Sequence, residues 1–376
     1  MIGIDASRAA SATPTGTEIY SRELIRALLK LDRVNSYRLY TREPSTRDFF
    51  GATRNYEIRA IPFPRLWTHA RLSLEMLTRA PERLWIPAHV LPPIHPRDST
   101  VTIHDLGHLY FPEAHPTWQR VYHTFATRWN ARAASRVFAD SEATRDDIVK
   151  FCGVAPEKIS VIYPAYDAKL YQPVCDPARL AETRVRYRIA TDYILAIGTI
   201  HPRKNYLRLI DAFAKLPLTN YQLLIVGKPG WLHKPIFDRV QSLNLQSLIS
   251  FLDYVPTADL PALISGARVL AFPSLHEGFG LPVLEAHACG TPVVCSMTSS
   301  LPEAAGDAAL FFDPLDTDAI AGALERVLRD EALRAKLIAK GFENLRRFSW
   351  ESSAAKILEI WSEQTLVSPL SQNSFH

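Results

Sequence analysis

Residues 269–296 read Val-Leu-Ala-Phe-Pro-Ser-Leu-His-Glu-Gly-Phe-Gly-Leu-Pro-Val-Leu-Glu-Ala-His-Ala-Cys-Gly-Thr-Pro-Val-Val-Cys-Ser. An apolar run at 269–272 gives way to a polar, glycine-rich turn at 274–280. Pro282 then opens a short helical segment, Gly290 closes it, and a second apolar run fills 292–295. The order predicts strand, loop, helix, strand, with proline near the helix start and glycine just past its end, where each costs least. Glu277 falls in the turn and Glu285 is expected in the first turn of the helix, with seven residues between them. In an open parallel sheet, ligands bind beyond the carboxyl ends of the strands, where such turns lie. Two acids and a glycine-flanked helix N-terminus are therefore expected to line a site for an anionic, hydroxyl-rich ligand.

The 376 residues suggest two domains of roughly 150 residues each. Apolar content of 47% and charged content of 22% suit a globular chain with a substantial core. A net charge of +4 is mild for this length and does not point to nucleic acid. The four cysteines, Cys152, Cys175, Cys289 and Cys295, have no metal-ligand spacing and read as reduced residues of a cytoplasmic protein. Met1 to Asp5 has no signal-peptide character, and no apolar run approaches the ~20 residues of a membrane span. The expectation is a cytoplasmic protein.

Outward from the opening stretch, strands and helices alternate on both sides. Residues 2–4 form a predicted strand, and a helix follows in which Thr15 and Glu18 have capping-box spacing. Gly16 at its start either admits a phosphate or carboxylate to backbone N–H groups or serves a plain tight turn. Residues 65–85, with Arg65, Arg71, Arg79 and Arg83 among Leu and Trp, predict an amphipathic basic helix. Such a helix either covers a sheet or lies on an anionic membrane surface. A strand over 99–103 delivers His104 to its carboxyl end, as a ligand contact or as a hydrogen-bonded structural histidine. His104 and His108 are four apart, but Gly107 and the strand argue against a metal pair. Ser141 is a predicted cap for the helix after it. Three prolines in 164–177 place the inter-domain linker there. A strand over 193–197 then leads into Gly-Thr-Ile-His-Pro-Arg-Lys-Asn at 198–205 and a helix. Here Arg203, Lys204 and the helix dipole can hold phosphates, the bland reading being two solvated charges. The alternation gives two α/β domains with mostly parallel sheets.

On these residues the chain resembles the family 4 glycosyltransferases of the GT-B fold. Glu277 to Glu285 matches the family's Glu-x7-Glu signature. The first turn from Thr15 to Glu18, Val101 to Leu106, Gly198 to Asn205, and Phe348-Ser-Trp350 are also similar. The resemblance implies two Rossmann-like domains facing across a cleft. Residues 1–170 with the C-terminal helix 353–376 would form the acceptor side, and 171–352 the nucleotide-sugar donor side. It implies a retaining hexosyltransferase using a nucleotide diphosphate-sugar, with no cofactor and no obligatory metal. The acceptor would be a glycan or lipid-linked glycan of polysaccharide biosynthesis; the peripheral membrane contact open to residues 65–85 rests on their basic, apolar pattern and not on the resemblance. Glu277 would bind the donor sugar, Glu285 the ribose, and Gly278, Phe279, Gly280 and Leu281 the sugar or diphosphate through backbone amides. Lys204 would neutralise the leaving diphosphate, Gly16 would let the N-terminal loop approach it, and His104 would contact the sugar. Family members commonly carry arginine where this chain has Thr199, so Arg203 is expected to supply the second cation. Gly-Thr-x-x-Pro-Arg-Lys-Asn resembles a subgroup that includes GDP-mannose-using mannosyltransferases.

The alternatives are a UDP-sugar-dependent transferase and a non-catalytic sugar-nucleotide-binding subunit of the same fold. A dinucleotide-dependent oxidoreductase is disfavoured because Val283 stands where the glycine fingerprint wants Gly or Ala. A glycosidase would use paired acids but has no role for a cation-bearing loop.

Overall fold

The computed structural model describes residues 1–9, 16–43, 49–51, 55–63, 66–88, 90–114, 116–217 and 220–367. The elements begin β1 (Ile2–Asp5), α1 (Gly16–Leu31), β2 (Tyr37–Thr41), β3 (Tyr56–Ala60), α2 (Ser73–Arg79), β4 (Arg83–Ile86) and β5 (Asp98–Ile103). After them come α3 (Gly107–Tyr110), α4 (Thr117–Ala133), β6 (Arg136–Ala139), α5 (Glu142–Cys152), β7 (Ile159–Val161) and α6 (Pro177–Arg186). The alternation continues with β8 (Asp192–Ile197), α7 (Tyr206–Ala214), β9 (Tyr221–Val226), α8 (Lys234–Ser242), β10 (Ile249–Leu252) and α9 (Leu260–Ser265). It ends with β11 (Val269–Phe272), α10 (Leu281–Ala288), β12 (Val293–Ser296), α11 (Leu301–Ala305), β13 (Ala309–Phe312), α12 (Thr317–Arg329), α13 (Glu331–Asn344) and α14 (Trp350–Val367).

These elements fall into two compact units, the first comprising residues 1–106, 121–164 and Phe348 onward, the second 107–120 and 165–347. In the first unit the described strands pair in parallel in the order β3-β2-β1-β4-β5-β6-β7. In the second the order is β10-β9-β8-β11-β12-β13, again parallel. Strands buried on both faces read as continuous apolar runs, and β1, β4, β9, β11 and β12 are buried at every position. Each strand order reverses once, between β1 and β4 and between β8 and β11. Such a switch point opens a crevice at the carboxyl ends of the two central strands.

Local signals hold where the chemistry is strong. Ser141 caps α5 by accepting from the Thr144 amide at 3.0 Å, and Gly153 ends that helix in the left-handed region at φ 64°. The single helix predicted over residues 65–85 is not formed, and Arg65 lies outside the described residues. Trp67–Leu72 wind as a π-helix, α2 follows, and Arg83 to Trp85 belong to β4. Pro81 cannot extend a helix, and the run after it fills the central slot between β1 and β5. There Trp85 is fully buried with its indole N–H donating to Thr102 Oγ1 at 3.1 Å. Thr15 also lies outside the described residues; Glu18 pairs with Arg8 at 2.9 Å. The helices α6 and α11 were not predicted: each is short, has proline at its first or second position, and sits in a stretch whose composition reads as loop.

The last helix completes the first unit by packing on α1. Ala354 and Ile357 are fully buried, Ser353 Oγ donates to the Tyr163 carbonyl at 2.6 Å, and Arg83 Nη1 donates to the Trp361 carbonyl at 3.1 Å. The Trp361 ring meets Trp85 edge-on at 6.1 Å. Trp361→Ala is expected to lower the unfolding free energy by about 3–5 kcal/mol. Chemical denaturation of the variant beside the parent checks this.

Candidate active site

The switch point of the second sheet lies between β8 and β11, so the loops leaving those strands lie side by side. The loop after β8 runs through Gly198 and exposed Thr199 into a 3-10 turn, Pro202–Lys204. Asn205 then takes the left-handed conformation, φ 60°, and starts α7. The loop after β11 carries Ser274, Glu277 and Phe279 to Gly280, which precedes α10. The Leu275 amide donates to the Arg203 carbonyl at 2.9 Å, which ties the two loops by backbone.

Lys204 and Glu277 close this corner. Both are buried, and Lys204 Nζ lies 2.5 Å from Glu277 Oε1. Arg203 Nη1 lies 3.9 Å from Glu277 Oε2 and donates to the His276 carbonyl at 3.2 Å. The Lys204 ammonium also stands over the Phe272 ring, 4.9 Å from its centroid. Burial pushes the Glu277 carboxyl up, but Lys204 and Arg203, with hydrogen bonds from Lys204 and Ser274, bring it below its ordinary value. Glu277 is therefore an anion at neutral pH.

Two glycines make the arrangement sterically feasible. Gly198 has φ 146°, and a Cβ there would sit 2.9 Å from Lys204 Cε. Gly280 has φ 111°, and a Cβ would meet Leu301 Cδ2 at 2.7 Å. The acidic loop is pinned from beneath by two serines. Ser299 Oγ donates to the Glu277 carbonyl at 2.6 Å and accepts from its amide at 3.2 Å. Ser300 Oγ lies 2.9 Å from the carbonyls of both Glu277 and Phe279. Within the same unit, the Tyr110 ring lies 4.6 Å from the His276 ring.

Glu285 lies in the second turn of α10 rather than the first, because the helix begins at Leu281. Its carboxyl pairs with the Tyr171 hydroxyl and is raised to about 7 by burial, offset in part by that hydrogen bond. The two glutamates thus have opposite electrostatics: one is held ionised by cations, the other is poised to titrate near neutrality. Half-buried Gly278 and Leu281 and buried Phe279 bracket the turn between them. No side chain caps the start of α10.

In the first unit, His104 follows β5. Its Nδ1 lies 2.8 Å from Asp140 Oδ2 and its Nε2 lies 2.9 Å from the Pro87 carbonyl. Both partners are acceptors, which favours the doubly protonated ring. Burial opposes that charge, yet Asp140, the Pro87 carbonyl and Asp105 raise the His104 value above its ordinary range. The ring also meets Tyr20 edge-on at 4.9 Å. Gly16 begins α1 exposed, and among the described residues nothing lies within 4 Å of where a Cβ would sit. Among the described residues no group of three or more His, Cys, Asp or Glu stands ready to hold a metal ion, and no helix is long and apolar enough to cross a membrane.

The sequence reading missed Ser299, Ser300, Tyr171, Asp140 and Tyr110. Ser299 and Ser300 precede a proline-opened helix and look like an ordinary loop; their function depends on a partner more than 20 residues away. Asp140, at the end of β6, had the same signal as His104, a polar residue directly after an apolar strand.

Residues 184–344 match the family Glycosyl transferases group 1, and residues 14–170 match Glycosyltransferase Family 4. O-antigen chain mannosyltransferase B from Escherichia coli is 34% identical over 267 residues, 70% of each chain. The serotype-specific mannosyltransferase WbdA, also from Escherichia coli, is 31% identical over 232 residues, 60% of this chain and 28% of that protein. Among solved structures, sucrose-phosphate synthase from Thermosynechococcus elongatus has a TM-score of 0.75 at 22% identity, covering 98% of this chain and 99% of that one. Two parallel, doubly wound units of this kind define the GT-B fold. The chain belongs to the family 4 glycosyltransferases and is a hexosyltransferase.

Removing one partner of a buried ion pair leaves a charge without compensation, at a cost of about 3–5 kcal/mol. Lys204→Met is therefore expected to destabilise the chain strongly, and Lys204→Met/Glu277→Gln to recover most of the loss. A double-mutant cycle by denaturation measures it. Because the Glu277 value is depressed, the stability it contributes is present above its unfolded value and disappears as pH falls through the folded one. The cycle's coupling should shrink accordingly in acid.

Proposed function

We propose that this hexosyltransferase moves mannose from GDP-mannose, with retention, to a hydroxyl of a glycan or lipid-linked acceptor in polysaccharide biosynthesis. The observation that carries the reading is the buried Lys204–Glu277 pair, with half-buried Arg203 beside it, at the switch point of the second sheet. Similarity to mannosyltransferases supports the sugar, and the loop from Gly198 to Asn205 supports the donor nucleotide.

The chemistry follows from where charge develops. As the bond from the sugar's anomeric carbon to the diphosphate oxygen breaks, the nucleoside diphosphate leaves with the electron pair. Its terminal phosphate gains negative charge, which Lys204 and Arg203 are suited to stabilise in a site largely withdrawn from water. The acceptor oxygen attacks from the same face, and its proton passes to a leaving-phosphate oxygen. Glu277, already ionised, would accept hydrogen bonds from sugar hydroxyls and share Lys204 with the phosphate. Backbone at Gly278, Phe279, Gly280 and Leu281 would approach the sugar and diphosphate, and Gly16 would be a further diphosphate contact. Thr199 brings no charge, so Arg203 supplies the second cation. Both His104 ring nitrogens are engaged, so that side chain meets a sugar hydroxyl only by exchanging one of those bonds. The proposed reaction uses no cofactor and no obligatory metal, with the charges of Lys204 and Arg203 stabilising the leaving phosphate. A lipid-linked acceptor would bring the protein to the cytoplasmic face of a membrane.

Lys204→Ala is expected to lower kcat by about 10²–10³-fold, the scale of losing one transition-state charge contact. Product formation from GDP-mannose checks it, and wild-type turnover would remove the role. UDP-glucose run beside GDP-mannose in calorimetry tests the nucleotide; tighter binding of the uridine donor would overturn the guanosine assignment.

Glu285 supplies a pH test. If its carboxylate accepts from the ribose hydroxyls, donor affinity rises as pH climbs through about 7 and the group ionises. Glu285→Gln should flatten that profile. The sign for stability is opposite. A carboxyl raised from 4.5 to about 7 on folding binds its proton more tightly when folded, so its contribution to stability falls across that window.

A further inference from the structure

The two strands that feed the candidate active site from their carboxyl ends also frame a cavity at their amino ends. Asp192 opens β8, Arg268 directly precedes β11, and the Arg268 amide donates to the Tyr193 carbonyl at 2.9 Å. Residues of α6, of the end of α9 and of α13 complete the wall. The cavity, of about 280 Å³, lies among Leu180, Arg184, Asp192, Gly266, Arg268 and Arg334. All six belong to the second unit.

Its charged lining is mainly cationic. Three guanidinium groups, of Arg184, Arg268 and Arg334, are met by two carboxylates, of Asp192 and Glu331. A guanidinium carries five N–H donors. Each of these three makes one hydrogen bond among the described residues: Arg184 Nη2 to the Thr191 carbonyl, and Arg268 Nη2 and Arg334 Nη1 to Glu331. The Nε–H groups of Arg268 and Arg334 are buried with no acceptor. Asp192 stays beyond hydrogen-bond reach, 3.9 Å from Arg184 and 3.7 Å from Arg268. The other two arginines converge on one point. Arg268 Nη2 and Arg334 Nη1 each lie 2.6 Å from the same atom, Oε1 of Glu331. Two guanidinium groups clamp an oxygen of a phosphate in the same way. Glu331, the first residue of α13, is 70% exposed, whereas Arg334 is 13% exposed. The acid leaves by rotating its own side chain, and Arg334 is enclosed. Ion pairs that only fastened α13 to the sheet would match acid to cation, but this set has a spare positive charge beside a cavity.

We propose that this cavity binds a small phosphate-bearing anion, a phosphomonoester or free phosphate, between Arg184, Arg268 and Arg334, with Glu331 as the internal anion it displaces. Ligand pockets commonly span ~300–1,000 Å³, so a cavity of about 280 Å³ suits a phosphorylated small metabolite and is tight for a nucleotide. Charge points the same way. With Glu331 swung out, three cations face Asp192 alone, an excess of two. A phosphate monoester brings a charge of roughly −1.5 to −2 at neutral pH, whereas a single carboxylate brings one. The planar forks of arginine also match phosphate oxygens in pairs. The site lies at the opposite edge of β8 and β11 from Lys204 and Glu277, so a ligand here leaves that corner open. It needs no sugar donor and stands apart from the reaction proposed above.

The full chain is titrated by calorimetry at low ionic strength with mannose 6-phosphate, with inorganic phosphate and, as the uncharged comparison, with mannose, in the absence of donor and acceptor. Both phosphates are expected to bind and mannose is not, and added sodium chloride should weaken the binding. Tighter binding of the ester assigns the site to a phosphomonoester and tighter binding of inorganic phosphate to the free ion; either supports the proposal. The double variant R268Q/R334Q should lose about tenfold or more in affinity, the scale of removing a charged hydrogen bond. Glu331→Gln takes away the competing anion and should strengthen binding about two- to fivefold, the scale of an exposed ion pair. A gain of affinity does not arise from a damaged fold, so this variant decides the matter even if thermal melts show the arginine variant to be unfolded. Failure of the parent to bind either phosphate overturns the proposal. Equal affinity in parent and folded R268Q/R334Q places the anion elsewhere on the chain and overturns it too, as does weaker or unchanged binding in Glu331→Gln.

Discussion

Lys204 and Glu277 meet in a corner that excludes most water, and the second unit is arranged around that meeting. Withdrawing an ammonium and a carboxylate from water costs several kcal/mol per ion, and close pairing offsets this only when the remaining hydrogen-bonding capacity is also met. The surrounding structure meets it. Gly198 leaves room for the lysine tail, Phe272 offers its ring face, Arg203 adds a second cation and Ser274 a hydrogen bond. The strand order makes the meeting possible in the first place. The register of β8 beside β11, with Ile194 opposite Val269, brings two loops far apart in sequence to the same sheet edge.

The first unit repeats the logic with a different pair. His104 and Asp140 leave the adjacent strands β5 and β6, and a carbonyl from the segment after β4 closes the set. In both units a charged pair links neighbouring strands at the carboxyl edge, where strand ends would otherwise be free to splay. The contrast lies in Glu285. A tyrosine hydroxyl offsets its burial in part, and its carboxyl is left to titrate near neutrality.

How far the sequence alone reached depended on the range of the interaction. The stretch at 269–296 was legible because its signals are local: an apolar run, a glycine that cannot carry a side chain, a proline at a helix start. The alternation on either side gave the two parallel sheets for the same reason. Residues 65–85 misled because periodicity reports amphipathicity without saying where the chain must enter a sheet; Trp85 could be placed only by knowing that β4 lies between β1 and β5. The acids and cations of the site were visible as residue types, but their pairing was not. Nothing in the spacing of Lys204 and Glu277 says that 73 residues of chain return to close one ion pair. Ser299, Ser300 and Tyr171 were silent altogether, since their part is to hold or tune a group elsewhere in the fold.

The closing helix also sets an order of events during synthesis. Domains commonly fold as they emerge, the amino-terminal one first. Here the chain of the first unit is interrupted after Pro164 and resumes at Phe348, so α1 waits for α14 while the ribosome makes everything between. The segment 165–347 is finished earlier and has its own sheet and core. The unit whose strands come earlier in sequence is completed only once α14 is made, and until then the faces of α1 and β4 that receive Trp350, Ile357 and Trp361 stay uncovered. A nascent chain stalled before residue 348 would present that apolar surface to the cell's chaperones.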